Sequence, residues 1–305
     1  MKSMPTPIAS RCGSGKNNDM YSYLLLAGKY LRYYLMAANG RGHGVHSPFV
    51  YELVRNVLCD RTVYAPYLAI EGLRKQLLKD EGAIEAEDMG AGSVRSGIPM
   101  AGGARAASDA RVRRVADIAR HAAKPARLGQ LLFRLARYYR PAVAVELGTS
   151  LGLSAAYLAA GVREGRREGG VQSGKLWTIE GSRAVAERAA GHLEGLGLDG
   201  VEVVTGNFDV VVQPLLERIG PVELAFVDGN HRYEPTLRYF DILMRHSGRS
   251  AMLIFDDIHW SADMERAWAQ IKADPQVMLT IDLFFFGLVV RGEEFKVKQD
   301  FTIRF

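Results

Sequence analysis

The sequence predicts an α/β protein: a doubly wound, mostly parallel sheet with an antiparallel C-terminal hairpin strand, plus a helical N-terminal region. Between 143 and 257, five apolar runs alternate with helical patterns. Continuous apolar strands separated by helices are typical of a parallel sheet covered on both faces. After residue 277, two further apolar runs are separated by only a short turn, so they must pair antiparallel.

Composition is that of an ordinary globular protein. The 305 residues are 48% hydrophobic and 24% charged, enough for one large domain, alone or with an N-terminal appendage. Two cysteines, Cys12 and Cys59, are too few for a disulfide framework. The first twenty residues contain no apolar run typical of a signal peptide. We therefore expect a cytoplasmic protein.

The N-terminal region divides into three predicted parts. We expect a disordered tail over 1–20 and a helical accessory or lid region over 21–127, which includes a Gly-rich loop over 88–108. Ser47 and Pro48 form a plausible N-cap and first-turn pair. The sequence IEAED before the loop is too polar for a central strand.

Charge and hydropathy limit the partners of the protein. Residues 21–38 are apolar, but Lys29 and Arg32 interrupt them and the run is too short to span a bilayer. An amphipathic helix that packs on the domain or on a second copy, in a homodimer, is the preferred interpretation. The net charge of +5 is mild, and the Arg clusters lack interleaved aromatic residues, so no nucleic-acid partner is expected.

The C-terminal part, residues 128–305, is predicted to form one domain. Helical stretches over 111–123 and 128–140 lead into its first strand. Strands are predicted over 143–147, 175–180, 201–205, 222–228, 251–257, 277–285 and 287–292, with helices over 152–160, 182–196, 209–219, 233–246 and 261–273.

The most informative stretch is VAVELGTSLGLSAAYLAA, residues 143–160. An apolar strand ends in Glu146, a glycine turn follows, and a helix begins. Free backbone N–H groups and the helix dipole at such a turn suit a carboxylate or phosphate, and glycine lets a ligand approach the backbone. Several enzyme classes build their sites on this turn.

Two other classes compete for this turn. Its letters also spell the G-x-S-x-G elbow of α/β-hydrolases, with Ser150 as nucleophile and a triad through Asp228 or Asp257 and His259. That fold needs several strands before its elbow, and residues 21–140 offer none that is convincing. A dinucleotide-binding dehydrogenase is the third possibility, but G-x-G-x-x-G is absent and a terminal hairpin is unexpected there.

The order of motifs resembles the class I S-adenosylmethionine (SAM)-dependent methyltransferases, and within them the small-molecule O-methyltransferases. ELGTSLGLSAAYLA resembles the first motif of that family, LWTIEGS the end of its second strand, and FVDGNHRYEPTLRYF its strand-four motif. LIFDDIHW resembles the strand-five acidic pair of metal-using members. The resemblance covers about 128–292, implies a Rossmann-like fold, and makes 128–305 the methyltransferase domain.

The resemblance assigns cofactor roles to residues at the strand ends. Glu180 would accept hydrogen bonds from both ribose hydroxyls, at the crevice edge of the sheet. The remaining expected SAM-binding residues are Glu146, Gly148, Thr149, Ser150 and Gly152 around the turn, Asn207 and Phe208 beside the adenine, and Asp228. Many relatives carry an acid where Asn207 stands.

The same strand ends predict a chemical centre. Asp228, Asp256 and Asp257 end two neighbouring strands, and such crowded carboxylates need a cation or protons. Oxygen ligands suit Mg²⁺, which would hold an acceptor hydroxyl and lower its pKa. The simpler alternative leaves one Asp on the cofactor amine and makes the others caps or salt-bridge partners. His231, where metal-dependent relatives often carry a lysine, is the candidate base, with Asp228 as its catalytic partner.

Further histidines have weaker assignments. His259 and Trp260 are candidates to wall the acceptor pocket. For His43 and His46, packing or surface histidines are the preferred interpretation, and closure over the site is the alternative. We therefore expect a SAM-dependent methyltransferase acting on a small-molecule hydroxyl, with Mg²⁺ assistance as one version of the mechanism. The alternatives are a serine esterase using Ser150 and a non-catalytic SAM-binding protein.

Overall fold

A sheet of eight strands lies at the centre of the computed structural model, which describes residues 20–38, 46–87 and 110–305. Its strands are β3 (Val143–Leu147), β4 (Lys175–Glu180), β5 (Val201–Thr205), β6 (Val222–Val227), β7 (Ser247–Asp256), β8 (Leu279–Asp282), β9 (Phe286–Arg291) and β10 (Gln299–Thr302). A separate antiparallel pair precedes them, β1 (Ala83–Glu87) and β2 (Ala110–Arg114).

Helices connect and cover the strands. Those of the described residues are α1 (Tyr23–Met36), α2 (Pro48–Leu53), α3 (Ala65–Leu77), α4 (Val115–Ala122), α5 (Ala126–Tyr139), α6 (Leu153–Glu168), α7 (Arg183–Gly195), α8 (Phe208–Ile219), α9 (Tyr233–His246) and α10 (Ala262–Ala273). A π-helical turn, Val54–Leu58, continues α2. None of these helices is long and apolar enough to cross a bilayer.

The strand order confirms the predicted fold class. Across the sheet it is β10-β8-β9-β7-β6-β3-β4-β5. The five strands from β5 to β7 are parallel, whereas β9 pairs antiparallel with both β7 and β8. From β3 the chain first builds outward through β4 and β5, then returns to the other side of β3 with β6. Such a reversal opens a crevice at the carboxyl ends of the strands, where ligands of open α/β sheets bind.

The central strands are mainly apolar because both of their faces are covered. In β6, Leu224 and Phe226 belong to one core cluster, whereas Ala225 and Val227 belong to the other. Successive side chains of a strand point to opposite faces, so the middle of a strand between two helical layers is apolar on both sides. The acidic residues therefore stand at the strand ends, where the apolar layers stop.

Three stretches differ from the predictions. β10 adds an eighth strand, parallel to β8, which its polar sequence QDFT did not indicate. The region over 21–127 was predicted to be helical, but 83–87 forms β1, where only Ile84 of the described side chains is buried. The predicted helix over 111–123 begins as β2 and becomes helical at Val115. β1 and β2 are rich in charged residues and lie outside the main sheet, so their sequences show no apolar periodicity that would predict strands.

The N-terminal helix α1 packs on the C-terminal end of the sheet. Ser22 caps its first turn, and the Tyr33 hydroxyl donates to the Ile303 carbonyl. Ala38, just after the helix, forms a bridge with Ile303. Helix α1 and the residue after it are thus joined to the C-terminal segment, next to β10.

Other N-terminal predictions have mixed outcomes. Ser47 and Pro48 open α2 as predicted, although the Ser47 side chain makes no capping hydrogen bond. The predicted tail before Met20, the Gly-rich loop and His43 lie outside the described residues. The predicted domain boundary between 127 and 128 falls inside α5, and the division stays a prediction.

Candidate cofactor crevice and acidic cluster

The glycine turn between β3 and α6 has a backbone conformation that residues with a side chain rarely adopt. Gly148 has φ +107°, and a Cβ on it would overlap the carbonyl oxygen of Asp228. Gly152, with φ +87°, precedes the first turn of α6, and Ser150 adopts φ +47°. Glycine at position 148 is thus required by the close approach of the segment after β6.

Most N–H groups of this turn are already used inside the protein. Those of Gly148 and Thr149 donate to the Ile179 carbonyl at 3.0 and 3.1 Å. Those of Ser150 and Gly152 donate to Glu180 and to the Thr149 carbonyl. The expected set of open donors is therefore smaller than predicted. What the turn offers a ligand is mainly close backbone approach.

Glu180 ends β4 beside the turn and is held by neutral donors. Its Oε2 accepts the Ser150 N–H at 2.8 Å, and its Oε1 accepts the Ser182 N–H at 3.0 Å. Burial raises the pKa of Glu180, and these backbone hydrogen bonds only partly offset the rise. A carboxylate fixed on both oxygens keeps one orientation, with remaining lone pairs for a further donor.

Glu146 ends the apolar part of β3 and is fully buried. Its Oε2 accepts a hydrogen bond from the Thr178 hydroxyl at 2.5 Å, and Thr178 is 2.6 Å from the Thr149 hydroxyl. The other oxygen, Oε1, has no partner among the described residues. Burial raises the pKa of Glu146 to about 8. We call Glu146 and Glu180 the cofactor-side pair.

Asn207 and Phe208 lie at the start of α8, after β5. The Asn207 side chain caps the helix by accepting the Asp209 N–H at 2.9 Å. Phe208 packs edge-on against Tyr239, and its ring would touch a Cβ placed on Gly229. Both residues have structural contacts of their own, so a role beside an adenine stays a prediction.

The carboxylates of Asp228, Asp256 and Asp257 do come together, at the ends of the adjacent strands β6 and β7. A lysine ammonium lies among them: Lys124 Nζ is 3.1 Å from Asp228 Oδ1 and 3.8 Å from Asp257 Oδ2. It also forms an ion pair with Asp256 Oδ2. We call these three aspartates the acidic cluster. The sequence indicated that they need a countercharge but not where it comes from.

Lys124 was missed because it lies in the segment between α4 and α5, in the N-terminal region that showed no family motif. Pro125 follows it and caps α5, and a residue before proline is driven out of helical conformation. The helical conformation is thus interrupted between α4 and α5 at Lys124, whose side chain is only 15% exposed. The sequence KP between two helical patterns marks such a break, but nothing in it indicates the distant acidic partners.

The protonation of the acidic cluster is set by burial and by this lysine. Burial alone lowers the pKa of Lys124, but the attraction of Asp228 and Asp256 raises it well above its usual value. Burial acts to raise the pKa of Asp228, yet Lys124 and His231 together hold it below its ordinary range. Asp256, the most buried, has a raised pKa because of burial and the nearby Asp257. Asp256 is therefore the member that most readily takes up a proton.

His231 lies at the rim of the acidic cluster. Its Nε2 is 3.5 Å from Asp228 Oδ1, beyond a well-formed hydrogen bond, and its side chain is partly exposed. One ligating atom each of Asp228, His231 and Asp256 lies within 4.8 Å of the others. The predicted base is thus near the predicted centre, and its role stays a prediction.

His259 does not serve Ser150. Its Nδ1 lies 3.1 Å from Glu265 Oε1 and its Nε2 lies 2.8 Å from Asp282 Oδ2, so both ring nitrogens are engaged elsewhere. Its ring also stacks on Phe284. The hydrolase triad considered from the sequence is therefore not assembled around His259.

Two remaining predicted pocket residues have identifiable surroundings. The Trp260 carbonyl accepts the Tyr21 N–H at 3.2 Å, so this segment after the acidic cluster lies against the start of α1. His46 is exposed. Whether Trp260 and His259 wall an acceptor pocket stays a prediction.

Comparison with known proteins defines the class. Residues 145–258 match a family model described as a methyltransferase domain. That segment contains the glycine turn, the cofactor-side pair and the acidic cluster. This segment of the chain is thus similar to a methyltransferase domain, which supports the resemblance to the class I SAM-dependent methyltransferases.

Individual relatives are similar over part of the chain. The O-methyltransferase TomG of Streptomyces achromogenes, solved with SAM, is 26% identical, with 56% of this chain and 82% of that one covered and a TM-score of 0.46. An O-methyltransferase of Bacillus cereus, solved with SAH, is 22% identical, with 56% and 84% covered and a TM-score of 0.47.

A curated relative is the uncharacterized protein R132 of Acanthamoeba polyphaga mimivirus, 27% identical over 74 residues. The match covers 23% of this chain and 34% of the viral protein. The chain thus spans about a third of the length of that relative.

Proposed function

We propose that the protein transfers the methyl group of SAM to a hydroxyl oxygen of a small-molecule acceptor. The observation that carries this proposal is the cofactor-side pair. Glu146 and Glu180 flank a glycine turn at the switch point of the sheet, and both are held by neutral donors. Glu180 keeps acceptor lone pairs open at the crevice edge, and Glu146, whose pKa burial raises to about 8, fixes the turn through Thr178 and Thr149.

In this proposal the cofactor lies along the turn from Gly148 to Gly152. Glu180 accepts the ribose hydroxyls with the lone pairs that its backbone donors leave open. Glu146 holds the turn through neighbouring threonines, while Asp228 faces the methionine amine. The start of α8, with Asn207 and Phe208, lies at the adenine edge. The match of residues 145–258 to a methyltransferase domain supports SAM as the cofactor.

Methyl transfer depends mainly on the alignment of the reacting atoms. The acceptor oxygen attacks the methyl carbon as the carbon–sulfur bond breaks, which leaves S-adenosylhomocysteine and a proton. Holding oxygen, carbon and sulfur close to linear supplies much of the rate enhancement. In this proposal His231 takes the hydroxyl proton, and Asp228, 3.5 Å from its Nε2, stabilises the imidazolium that forms.

As arranged, the acidic cluster does not fit the predicted Mg²⁺. Its oxygens are of the type that Mg²⁺ prefers. However, the ammonium of Lys124 already lies against Asp256 and Asp228, so a metal on the same oxygens would meet a like charge at short range. The proposed reaction therefore uses no metal ion.

The oligomeric state and the location of the protein are also proposals. A homodimer is supported by the outward face of α1, where Leu24, Leu31, Leu35 and Met36 are 88%, 58%, 69% and 73% exposed. Apolar patches of this kind are typical of contact surfaces. A cytoplasmic location remains our proposal from the low cysteine content.

Calorimetric titration with SAM, S-adenosylhomocysteine and NAD tests the proposed function. We expect binding of the first two and none of NAD. Glu180→Ala removes a charged acceptor of two hydroxyls and should weaken SAM binding by about 100-fold, near 3 kcal/mol. Glu187→Ala, on the neighbouring helix α7 where Glu187 pairs with the exposed Arg183, is the matched control and should leave the affinity unchanged.

Turnover is then measured with methyl-labelled SAM against sets of phenolic, sugar and aliphatic hydroxyl acceptors. Transfer to oxygen establishes the activity. If a correctly folded protein bound neither SAM nor its product, the methyltransferase proposal would be wrong, although the fold would stand.

A further inference from the structure

We propose that Lys124 is a built-in countercation of the acidic cluster, which occupies the place of a divalent metal so that the enzyme works without one. The inference rests on the proposed function only for its catalytic consequence. Its structural content is that the N-terminal region supplies a positive charge to carboxylates from β6 and β7, and thereby excludes a metal from them.

The contacts of Lys124 differ from those of an ordinary surface lysine. Its Nζ faces Asp228 at 3.1 Å and Asp257 at 3.8 Å, and pairs with Asp256, whose side chain is fully buried. One ammonium thus meets all three carboxylates of the cluster. Removing carboxylates from water is costly unless a cation pairs with them, and Lys124 is that cation in the part of the chain that the structure describes.

The lysine is held in place by its two neighbouring helices. In α4, Ile118 and Ala119 are buried in a core cluster, and in α5 Leu128 and Leu131 are buried in the same one. Lys124 thus sits on a short connection between two anchored helices, and the proline that follows restricts its backbone. The backbone position from which the side chain reaches the acidic cluster is therefore fixed.

A divalent ion and the ammonium would compete for the same atoms. Mg²⁺ needs near-octahedral oxygen ligation at short distances, and one oxygen of Asp228 and one of Asp256 are already in contact with Lys124. The ammonium carries three N–H donors. Two of them face Asp228 and Asp256, and the third lies toward the more distant Asp257.

Metal binding tests the proposal without relying on turnover. We expect Mn²⁺ titrated into the wild-type protein, followed by electron paramagnetic resonance, to show no site tighter than about millimolar, within the range of weak Ca²⁺ sites. In Lys124→Ala the cluster loses its cation, and we expect a new Mn²⁺ site at least tenfold tighter. Adding Asp256→Asn to that variant should remove the site again.

Two controls keep the result interpretable. Lys175→Ala removes a lysine from the partly exposed carboxylate of Glu202, outside the cluster, and should create no site. If Lys124→Ala does not fold, Lys124→Met keeps most of the side-chain volume and takes its place. Wild-type turnover should change less than twofold after EDTA treatment and after addition of Mg²⁺.

Each outcome has one meaning. A tight Mn²⁺ site in the wild type that Asp256→Asn abolishes, or turnover that EDTA removes and Mg²⁺ restores, would overturn the proposal. So would the absence of any new site in folded Lys124→Ala or Lys124→Met. Failure of SAM to bind would instead count against the proposed function alone, because the Mn²⁺ titrations contain no cofactor.

Discussion

The two groups of acids at the carboxyl edge of the sheet are held by different kinds of hydrogen-bond donor. The cofactor-side pair, Glu146 and Glu180, is held by hydroxyl and backbone N–H donors. The acidic cluster, a strand or two away, is held by the ammonium of Lys124. Neutral donors position a carboxylate without cancelling its charge, whereas a lysine cancels it. The first group therefore keeps acceptor lone pairs for a ligand, and the second is already paired with a cation.

The two groups also differ in how far along the chain their hydrogen-bond donors lie from the acids. The donors to the cofactor-side pair come from the same motifs as the acids, the glycine turn and the end of β4. The donor to the acidic cluster lies 132 residues before Asp256. The cofactor side is thus built within one βαβ unit, while the cluster depends on how the N-terminal region packs.

The largest effect is expected at Gly148, where the turn beside the cofactor-side pair approaches the backbone of Asp228 in the acidic cluster. Gly148→Ala would place a Cβ against the backbone oxygen of Asp228, at a φ of +107°. Because the clash is with backbone, we expect a loss of about 3 kcal/mol in the free energy of unfolding and loss of SAM binding. Urea denaturation and calorimetry measure the two effects.

Gly191→Ala is the matched control for that substitution. Gly191 lies in α7 with no atom within 4 Å of the position that an alanine Cβ would take, so alanine should raise stability by about 0.5–1 kcal/mol. A similar loss in both variants would show that the crowding at Gly148 is not the cause.

Within the acidic cluster, two isosteric substitutions should differ. Asp228 is held ionised by Lys124 and His231, so Asp228→Asn should cost about 2 kcal/mol at pH 7. Burial and the nearby Asp257 raise the pKa of Asp256, so its charge stabilises the fold less and Asp256→Asn should cost less than Asp228→Asn. Denaturation curves at pH 7 compare them; equal losses would contradict the unequal sharing of Lys124.

The cofactor-side pair should carry a pH dependence of its own. The pKa of Glu146 is about 8 in the folded protein against 4.5 for an ordinary glutamate. The folded state therefore binds more protons than the unfolded chain between these values, and stability falls as the pH rises from about 4.5 to about 8. Glu146→Gln should flatten this fall, by up to a few kcal/mol. The free energy of unfolding at pH 5 and pH 8, for both proteins, provides the measurement.

A third group of acids, on the C-terminal edge, extends the comparison because its cation titrates. Burial lowers the pKa of His259, but Asp282 and Glu265 raise it overall. The resulting stabilisation is complete below about pH 6.5 and is lost as the pH rises through the raised value. His259→Gln should cost about 1 kcal/mol at pH 6 and less at pH 9. The exposed His121→Gln is the control, and no change in the cost with pH would contradict the charge pairing.

Much of the fold was predictable because its signals are local. Five apolar runs that alternate with helices, and a hairpin at the end, indicated the sheet and nearly every element from Val143 to Arg291. β10 and the β1–β2 pair were missed, since short polar strands are defined by their partners. The acids of the site were predictable as well, because polar residues directly after apolar strands must lie at the sheet edge.

Periodicity and residues close in the chain are enough to set the class of fold, the glycine turn and the positions of the acids. What pairs with those acids depends on the folded molecule. Lys124 reaches Asp256 only once α4 and α5 are packed, and His259 meets Asp282 only across the folded C-terminal edge. Burial then sets the charge states, because the cost of an ionised group depends on the whole shell around it.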